Sequence, residues 1–304
     1  MISRRHFIKG FLALTAGGFG FSGYSLAEPF WLRVTDYRLT PPNWPSGLHL
    51  KIAVLADIHA CEPWLGLNKL ERIVARTNAL SPDIILLLGD YVASHGIRKY
   101  GRSVAYGDWA DALAKLKAPL GVHGVLGNHD WWDDPSLVAN RGGLPRSAVE
   151  LSKRGITVLE NQSIRLIHQG KAFWIAGLGS QTAFWLTEEE RKANGGWGYI
   201  GTDDLTGTLA KIDDDSPVIL MAHEPDIFAR MPSRVSLTLS GHTHGGQVRL
   251  LGRSLVVPSR YGNRYAYGHV EENNCNLIVS GGLGCSIVPL RFGVPPEILS
   301  VELG

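Results

Sequence analysis

Seven side chains in this 304-residue sequence have the types and spacing needed to hold metal ions. Gly241-His242-Thr243-His244 sets two imidazoles two residues apart, just after the apolar run Val235 to Leu239. Alternate side chains of an extended segment share one side, so at a strand end both rings can turn toward one point. Other apolar runs stop in the same way: Leu50 to Ala56 at Asp57-Ile58-His59, Ile84 to Leu88 at Gly89-Asp90, Val122 to Leu126 at Gly127-Asn128-His129-Asp130, and Val218 to Ala222 at His223. Asp57, His59, Asp90, Asn128, His223, His242 and His244 supply two carboxylates, one amide oxygen and four imidazoles, with no sulfur. Oxygen and nitrogen donors of this kind suit manganese, iron, zinc, nickel or magnesium. Seven ligands are too many for one ion but fit two divalent ions that share a carboxylate, so a binuclear centre is expected.

The elements that must position these residues follow from the same runs. Each run is short, rich in Ile, Leu and Val, and bounded by turn formers, which reads as a buried strand. Helical patterns over Asn68 to Leu80 and Gly107 to Lys117 separate the early runs, so the first half implies a largely parallel sheet with helices. Ligands of such sheets bind beyond the carboxyl ends of the strands, where the polar residues fall. The later runs Ile164 to His168, Ala172 to Ala176, Leu255 to Val257 and Leu277 to Val279 are short and have few helices between them. They imply a second, mixed or antiparallel sheet. The expected fold class is α/β: a four-layer αββα sandwich of two mixed sheets, with residues 28–304 as a single domain.

Charge and cysteine content narrow the function. Arg4, Arg5 and Lys9 are three of the 30 basic residues, and no acid precedes Glu28, so 27 bases face 28 acids in the remainder. That balance gives no case for a nucleic-acid groove. Arg249, Arg253, Arg260, Arg264 and Arg291 face only Glu271 and Glu272 locally; they read as solvated loop arginines, or as contacts for an anionic substrate or headgroup. Ser3-Arg4-Arg5-His6-Phe7 precedes an uncharged stretch from Gly10 to Ala27, and Ser25-Leu26-Ala27 offers small residues for cleavage. Residues 1–27 therefore read as a twin-arginine export signal, either cut or kept as an anchor. This implies the twin-arginine machinery as a partner, a location in the periplasm or on the outer face of the cytoplasmic membrane, and association with membrane or cell wall. Cys61, Cys275 and Cys285 are too few for a disulfide framework, although Cys275 and Cys285 are candidates to pair.

The ordered series Asp57-x-His59, Gly89-Asp90, Gly127-Asn128-His129-Asp130, His223 and Gly241-His242-x-His244 resembles the calcineurin-like metallophosphoesterases from about Lys51 to His244. The twin-arginine start, the block Gly241 to Gln247, Pro289-Leu290-Arg291-Phe292 and Pro296-Glu297 are similar to the exported bacterial YaeI/YkuE-like phosphodiesterase branch. The resemblance implies that Asp57, His59 and His244 hold one ion and Asn128, His223 and His242 the other, with Asp90 between them. It implies hydrolysis of a phosphate-ester substrate by attack of a metal-bound hydroxide. It also gives His129 a role at a phosphoryl oxygen and as acid to the leaving group, which a pKa near neutrality would suit. The protein-phosphatase branch supports this histidine with a carboxylate where Ala93 stands here. Asp130 or a backbone carbonyl is then the expected partner of its ring, failing which its role as an acid is weaker. Trp131 and Trp132 are candidates for an apolar lip, as are Phe184 and Trp185, with core packing the alternative. A phosphodiesterase of the cell envelope is the expected function. The alternatives are a pyrophosphatase acting on a UDP-linked lipid precursor such as UDP-2,3-diacylglucosamine, and a non-catalytic metal-binding envelope protein.

Overall fold

A computed structural model of the chain describes residues 22–304, so the arginine pair and most of the apolar stretch behind it lie outside the described residues. Twelve strands form two six-stranded sheets: β1 (Arg33–Leu39), β2 (Leu50–Leu55), β3 (Ile84–Leu87), β4 (Val122–Gly124), β5 (Thr157–Val158), β6 (Gln162–His168), β7 (Lys171–Gly177), β8 (Val218–Met221), β9 (Leu237–Ser240), β10 (Gly268–Glu272), β11 (Cys275–Val279) and β12 (Glu297–Leu303). The first sheet runs β1-β12-β2-β3-β4-β5 and the second β10-β11-β9-β8-β7-β6. In the first, β2 to β5 are parallel, while the C-terminal β12 inserts antiparallel to β2 and carries β1 parallel on its far side. In the second, β7, β8, β9 and β11 are parallel, and only the edge strands β6 and β10 run against their neighbours.

Two buried faces explain why the runs are apolar almost throughout. Ile52, Val54, Ile84 and Leu86 of the first sheet meet Phe173, Ile175, Ile219, Met221, Leu237 and Leu239 of the second in one core. The opposite face of the first sheet, with Ala53, Leu55, Ile85 and Leu87, packs on three helices: α1 (Leu67–Ala79), α2 (Tyr106–Leu113) and α4 (Arg146–Ser152). Leu70, Ile73, Val74 and Thr77 recur at three- and four-residue steps and give α1 its buried side. The outer face of the second sheet is thinner, covered by the short helix α5 (Leu205–Leu209) and the 3-10 segment Pro225–Arg230. The four layers expected from sequence are present, and α3 (Asn128–Trp132) belongs to the site itself.

Two expectations need correction. Leu255 to Val257 is not a strand; it is an irregular, outward-facing segment after the small antiparallel ribbon of Arg249–Leu250 with Arg253–Ser254. Cys275 and Cys285 do not pair. Cys275 packs with Phe228 and Tyr265, whereas Cys285 packs with Cys61, Ala93 and Ile97. Among the described residues, no helix is long and apolar enough to cross a membrane.

Candidate metal centre

The parallel cores of both sheets point their carboxyl ends the same way, and the seven predicted residues meet at the seam. Asp57 and His59 follow β2, Asp90 follows β3, Asn128 opens α3 after β4, His223 follows β8, and His242 and His244 follow β9. Asp57, His59, Asp90, His242 and His244 all have left-handed backbones, with φ between 42° and 69°. Each such turn costs a non-glycine residue roughly 1–2 kcal/mol. Strain of this kind persists where surrounding structure over-determines it, commonly at functional sites. Glycine supplies the remaining room: a Cβ on Gly127 would lie 2.2 Å from Asp90 Oδ1, and one on Gly241 would lie 2.5 Å from Asp57 Oδ2.

Three donor groups result, each with its atoms within 4.8 Å of one another: Asp57, His59 and His244; His59, Asp90 and His129; and Asp90, His223 and His242. Asp90 Oδ2 sits between two rings, 3.4 Å from His59 Nε2 and 3.2 Å from His223 Nε2. His59 Nε2 is 3.1 Å from His244 Nε2, which is 3.5 Å from Asp57 Oδ1. Asn128 Oδ1 is 2.9 Å from His242 Nδ1 and so joins the group of Asp90, His223 and His242. Backbone carbonyls fix two tautomers: His59 Nδ1 donates to Val92 O at 2.9 Å and His223 Nδ1 to Leu88 O at 2.6 Å. Both Nε2 atoms are thereby turned toward Asp90, the orientation that metal ligation requires.

The residues present fit a pair of divalent ions. Asp57 Oδ2 is buried without a hydrogen-bond partner, and an orphaned buried acceptor costs about 1–3 kcal/mol. Burial, reinforced by the Asp90 charge, raises Asp57 to about 7 even though protonated His223 opposes it. Burial also opposes ionisation of Asp90, but His223 and His129 overrule it and hold Asp90 well below the usual carboxylate range. His223 is the counterpart: burial lowers it, yet the adjoining Asp90 carboxylate keeps it well above an ordinary histidine. Buried carboxylates and crowded imidazoles are a costly arrangement, and oxygen- and nitrogen-ligated metal ions would relieve it.

His129 lies against the cluster, its ring 5.0 Å from that of His59 and 4.9 Å from that of Trp132. Its backbone N–H donates to Asp90 Oδ1 at 2.9 Å. Burial, with help from His59, His242 and His223, pushes the ring down to about 3. One expectation about it is corrected. Asp130 does not orient it, because that carboxylate accepts from the backbone N–H groups of Asp90, Tyr91 and Gly127 and from the Ser147 hydroxyl. Asp130 therefore ties the Asp90 turn to the start of α3, while His129 Nδ1 has no hydrogen-bond partner among the described residues.

Two further supports went unread in the sequence. Glu224, beside His223, accepts from Ser180 Oγ, Thr182 Oγ1 and the Gln181 N–H, fixing the loop that follows β7. Arg291, expected to be a solvated loop residue, is fully buried; it donates to the carbonyls of Gly281, Gly284 and Val294 and reaches His244 Nδ1 at 3.3 Å. Of the other arginines of that group, Arg264 pairs with Glu272, Arg260 lies over the Trp197 ring, and Arg249, half-buried, lies over the Tyr267 ring. The tryptophan pair divides. Trp131 is buried against Phe184, whereas Trp132 faces the site, stacked on Tyr199 and near Trp185.

Two cavities meet at the metal cluster and share His242, Tyr199 and Pro258. One, of about 600 Å³, passes over Asp90, Asn128 and His129 and is walled by Trp132, Leu255, Val256, Ile287 and Val288. The other, of about 500 Å³, is polar and bordered by Gln181, Asn194, Glu224, Asp226 and Arg260.

The family model for the calcineurin-like phosphoesterase matches residues 50–246. The uncharacterized metallophosphoesterase YkuE of Bacillus subtilis is 30% identical, with 98% of this chain and 96% of that protein covered. An uncharacterized metallophosphoesterase of Aquifex aeolicus is also 30% identical, over 92% of this chain and 95% of that protein. The phosphodiesterase YaeI of Escherichia coli is 28% identical over the full length of both chains. With the matched segment spanning every metal-facing residue from Asp57 to His244, the chain belongs to the calcineurin-like phosphoesterase family and is a metal-dependent phosphoric ester hydrolase.

Proposed function

We propose that the protein is a phosphodiesterase of the cell envelope. The observation that carries the diester reading is the pair of cavities meeting at His242, since a diester has one substituent on each side of its phosphorus. One substituent would lie along the apolar wall and the other in the polar cavity. Asp57, His59 and His244 would hold one divalent ion and Asn128, His223 and His242 the other, with Asp90 serving both. When bound, such ions polarise a phosphoryl oxygen and make a water nucleophile accessible near neutral pH.

The chain's own residues do the rest. Val92 and Leu88 carbonyls hold the rings of His59 and His223 in the ligating tautomer. A neutral His129 has one N–H to donate to a phosphoryl oxygen, which places it as a hydrogen-bond donor rather than as an imidazolium acid. Trp132 and the aliphatic wall give one flank an apolar surface against which a substituent of the ester would pack. The envelope setting rests on the arginine pair and the uncharged stretch behind it.

Hydrolysis of bis-p-nitrophenyl phosphate and of p-nitrophenyl phosphate, each with added manganese, tests the reading. The diester should be preferred, and Asp90→Asn should lower its turnover at least 100-fold. Equal turnover by wild type and variant, or none with any divalent metal, would leave the metal-binding alternative standing. A nucleotide–lipid anhydride presents the same pair of unlike groups, so release of a nucleoside monophosphate from such a compound, faster than any diester cleavage, would favour the pyrophosphatase reading.

A further inference from the structure

The ribbon beside the metal cavity exposes an unusual amount of aliphatic surface. Arg249 pairs with Ser254 and Leu250 with Arg253, and the tip is Leu251-Gly252, both at positive φ. Leu251 is wholly exposed, and Leu255, Val256 and Ile287 are 95%, 69% and 64% exposed. The last three also line the apolar cavity over His129, so this surface is the outer lip of the mouth to the metal cluster. Single exposed aliphatics are common on soluble proteins, but a group at one place marks a surface that something covers.

The entry of the chain into the body lies alongside. Residues 22–27 are helical and lead into the 3-10 turn Glu28–Phe30. The Ser25 carbonyl accepts from Arg291 N–H at 3.0 Å, the Glu28 carboxylate accepts from Gly293 N–H at 2.9 Å, and the Tyr24 ring meets Phe292 at 5.2 Å. Phe292 in turn exchanges backbone hydrogen bonds with Gln247 and Arg249, the root of the ribbon. The uncharged sequence from Gly10 thus joins the body one strand pairing away from the exposed lip. Tyr24, Phe30 and Trp31 are roughly half exposed on that segment, and Tyr and Trp favour membrane–water interfaces. Arg253 is exposed at the base of the tip. Aliphatic side chains flanked by cations suit an anionic headgroup layer.

We propose that the lip formed by Leu250, Leu251, Leu255, Val256 and Ile287 seats in the headgroup region of an anionic membrane, with Arg253 on the headgroups, so that the mouth of the metal site faces the bilayer. A second copy of the chain would give no reason for the cation beside the lip or for the apolar N-terminal sequence joining here. The proposal rests on the envelope reading only for the source of the membrane; its test reads contact rather than turnover, so the two can fail separately.

The full chain, carrying Leu251→Cys or, at the opposite end of the sheets, Ser46→Cys, is labelled with bimane and reconstituted with vesicles of phosphatidylcholine and phosphatidylglycerol containing spin-labelled lipid. The three native cysteines are buried and should stay unlabelled. Quenching at position 251 and not at 46 is expected, weaker in phosphatidylcholine alone. Adding Arg253→Glu should lower the docked-to-undocked ratio on anionic vesicles by about fivefold or more. Equal absence of quenching at both positions would overturn the proposal even if the N-terminal sequence holds the protein to the vesicles. So would protection of position 251 in vesicle-free dimers, which would assign the lip to a second copy.

Discussion

Gly127→Ala isolates the geometry of the site from its chemistry, because it changes no ligand. Gly127 has φ −102° and ψ 176°, extended values that alanine adopts freely, so the backbone raises no objection. The obstacle is the added methyl group, which would lie 2.2 Å from Asp90 Oδ1 and 2.7 Å from the His223 ring. Ordinary contact begins near 3.4 Å, so Asp90 and the start of α3 must separate by about 1.2 Å. Overpacking a well-filled interior costs about 1–3 kcal/mol, which a chain with two large cores should survive. Displacement of a reacting group by about 1 Å costs roughly 100-fold in rate. Hydrolysis of bis-p-nitrophenyl phosphate should therefore fall about 100-fold in kcat/KM, with a folded circular-dichroism spectrum and reduced manganese content by elemental analysis. Gly198→Ala is the control, because its Cβ meets nothing nearer than 3.8 Å. Wild-type turnover and metal content in Gly127→Ala would refute the placement of Asp90 at the centre of the site.

The two histidines of the Gly241 to His244 turn should differ in what they release: His244→Ala should empty the Asp57 and His59 side, and His242→Ala the Asn128 and His223 side. Native mass spectrometry should then find about one ion per chain in each variant, and loss of both ions in both variants would contradict the division. The third prediction concerns pH. Asp57 at about 7 lies above its ordinary 3.8, so the metal-free fold gains from its protonated form at acid pH and loses that gain as pH rises through 7. Metal binding needs the carboxylate and a neutral His223, so manganese affinity measured by calorimetry should rise by at least about tenfold per pH unit from 5 to 7 and go on rising above 7 as His223 gives up its proton. A flat profile across that range would remove Asp57 from the ligand set. Finally, manganese should raise the melting temperature of the wild type by several degrees and of Asp90→Asn by much less, since only ligands that bind the native state stabilise it.

The metal-facing residues were legible because each sits within five residues of the apolar run that carries it. A strand that ends where its side chains turn polar announces both the strand and the site, as in Ile84 to Leu88 followed by Asp90. Ligand residues also chose their own types, since few chemistries need aspartate, asparagine and histidine at five strand ends. Strands β1 and β12 were not legible: Arg33–Leu39 alternates half-buried positions and Glu297–Leu303 contains two acids, one buried against Arg33 and Tyr267. Their pairing joins residues more than 260 positions apart, which no local pattern records.

The sequence by itself determined which groups could bind metal, that they stand at strand ends, and that two kinds of sheet texture follow one another. Tertiary structure decided how those ends converge. It buried Arg291 behind His244, turned Asp130 from His129 to the backbone of the Asp90 turn, and separated Trp131 from Trp132 although they are adjacent in the chain. It also placed the aliphatic lip over the mouth of the cluster. Residue type fixes what a group can donate or accept, but burial and partners depend on which distant segments the two sheets bring against it.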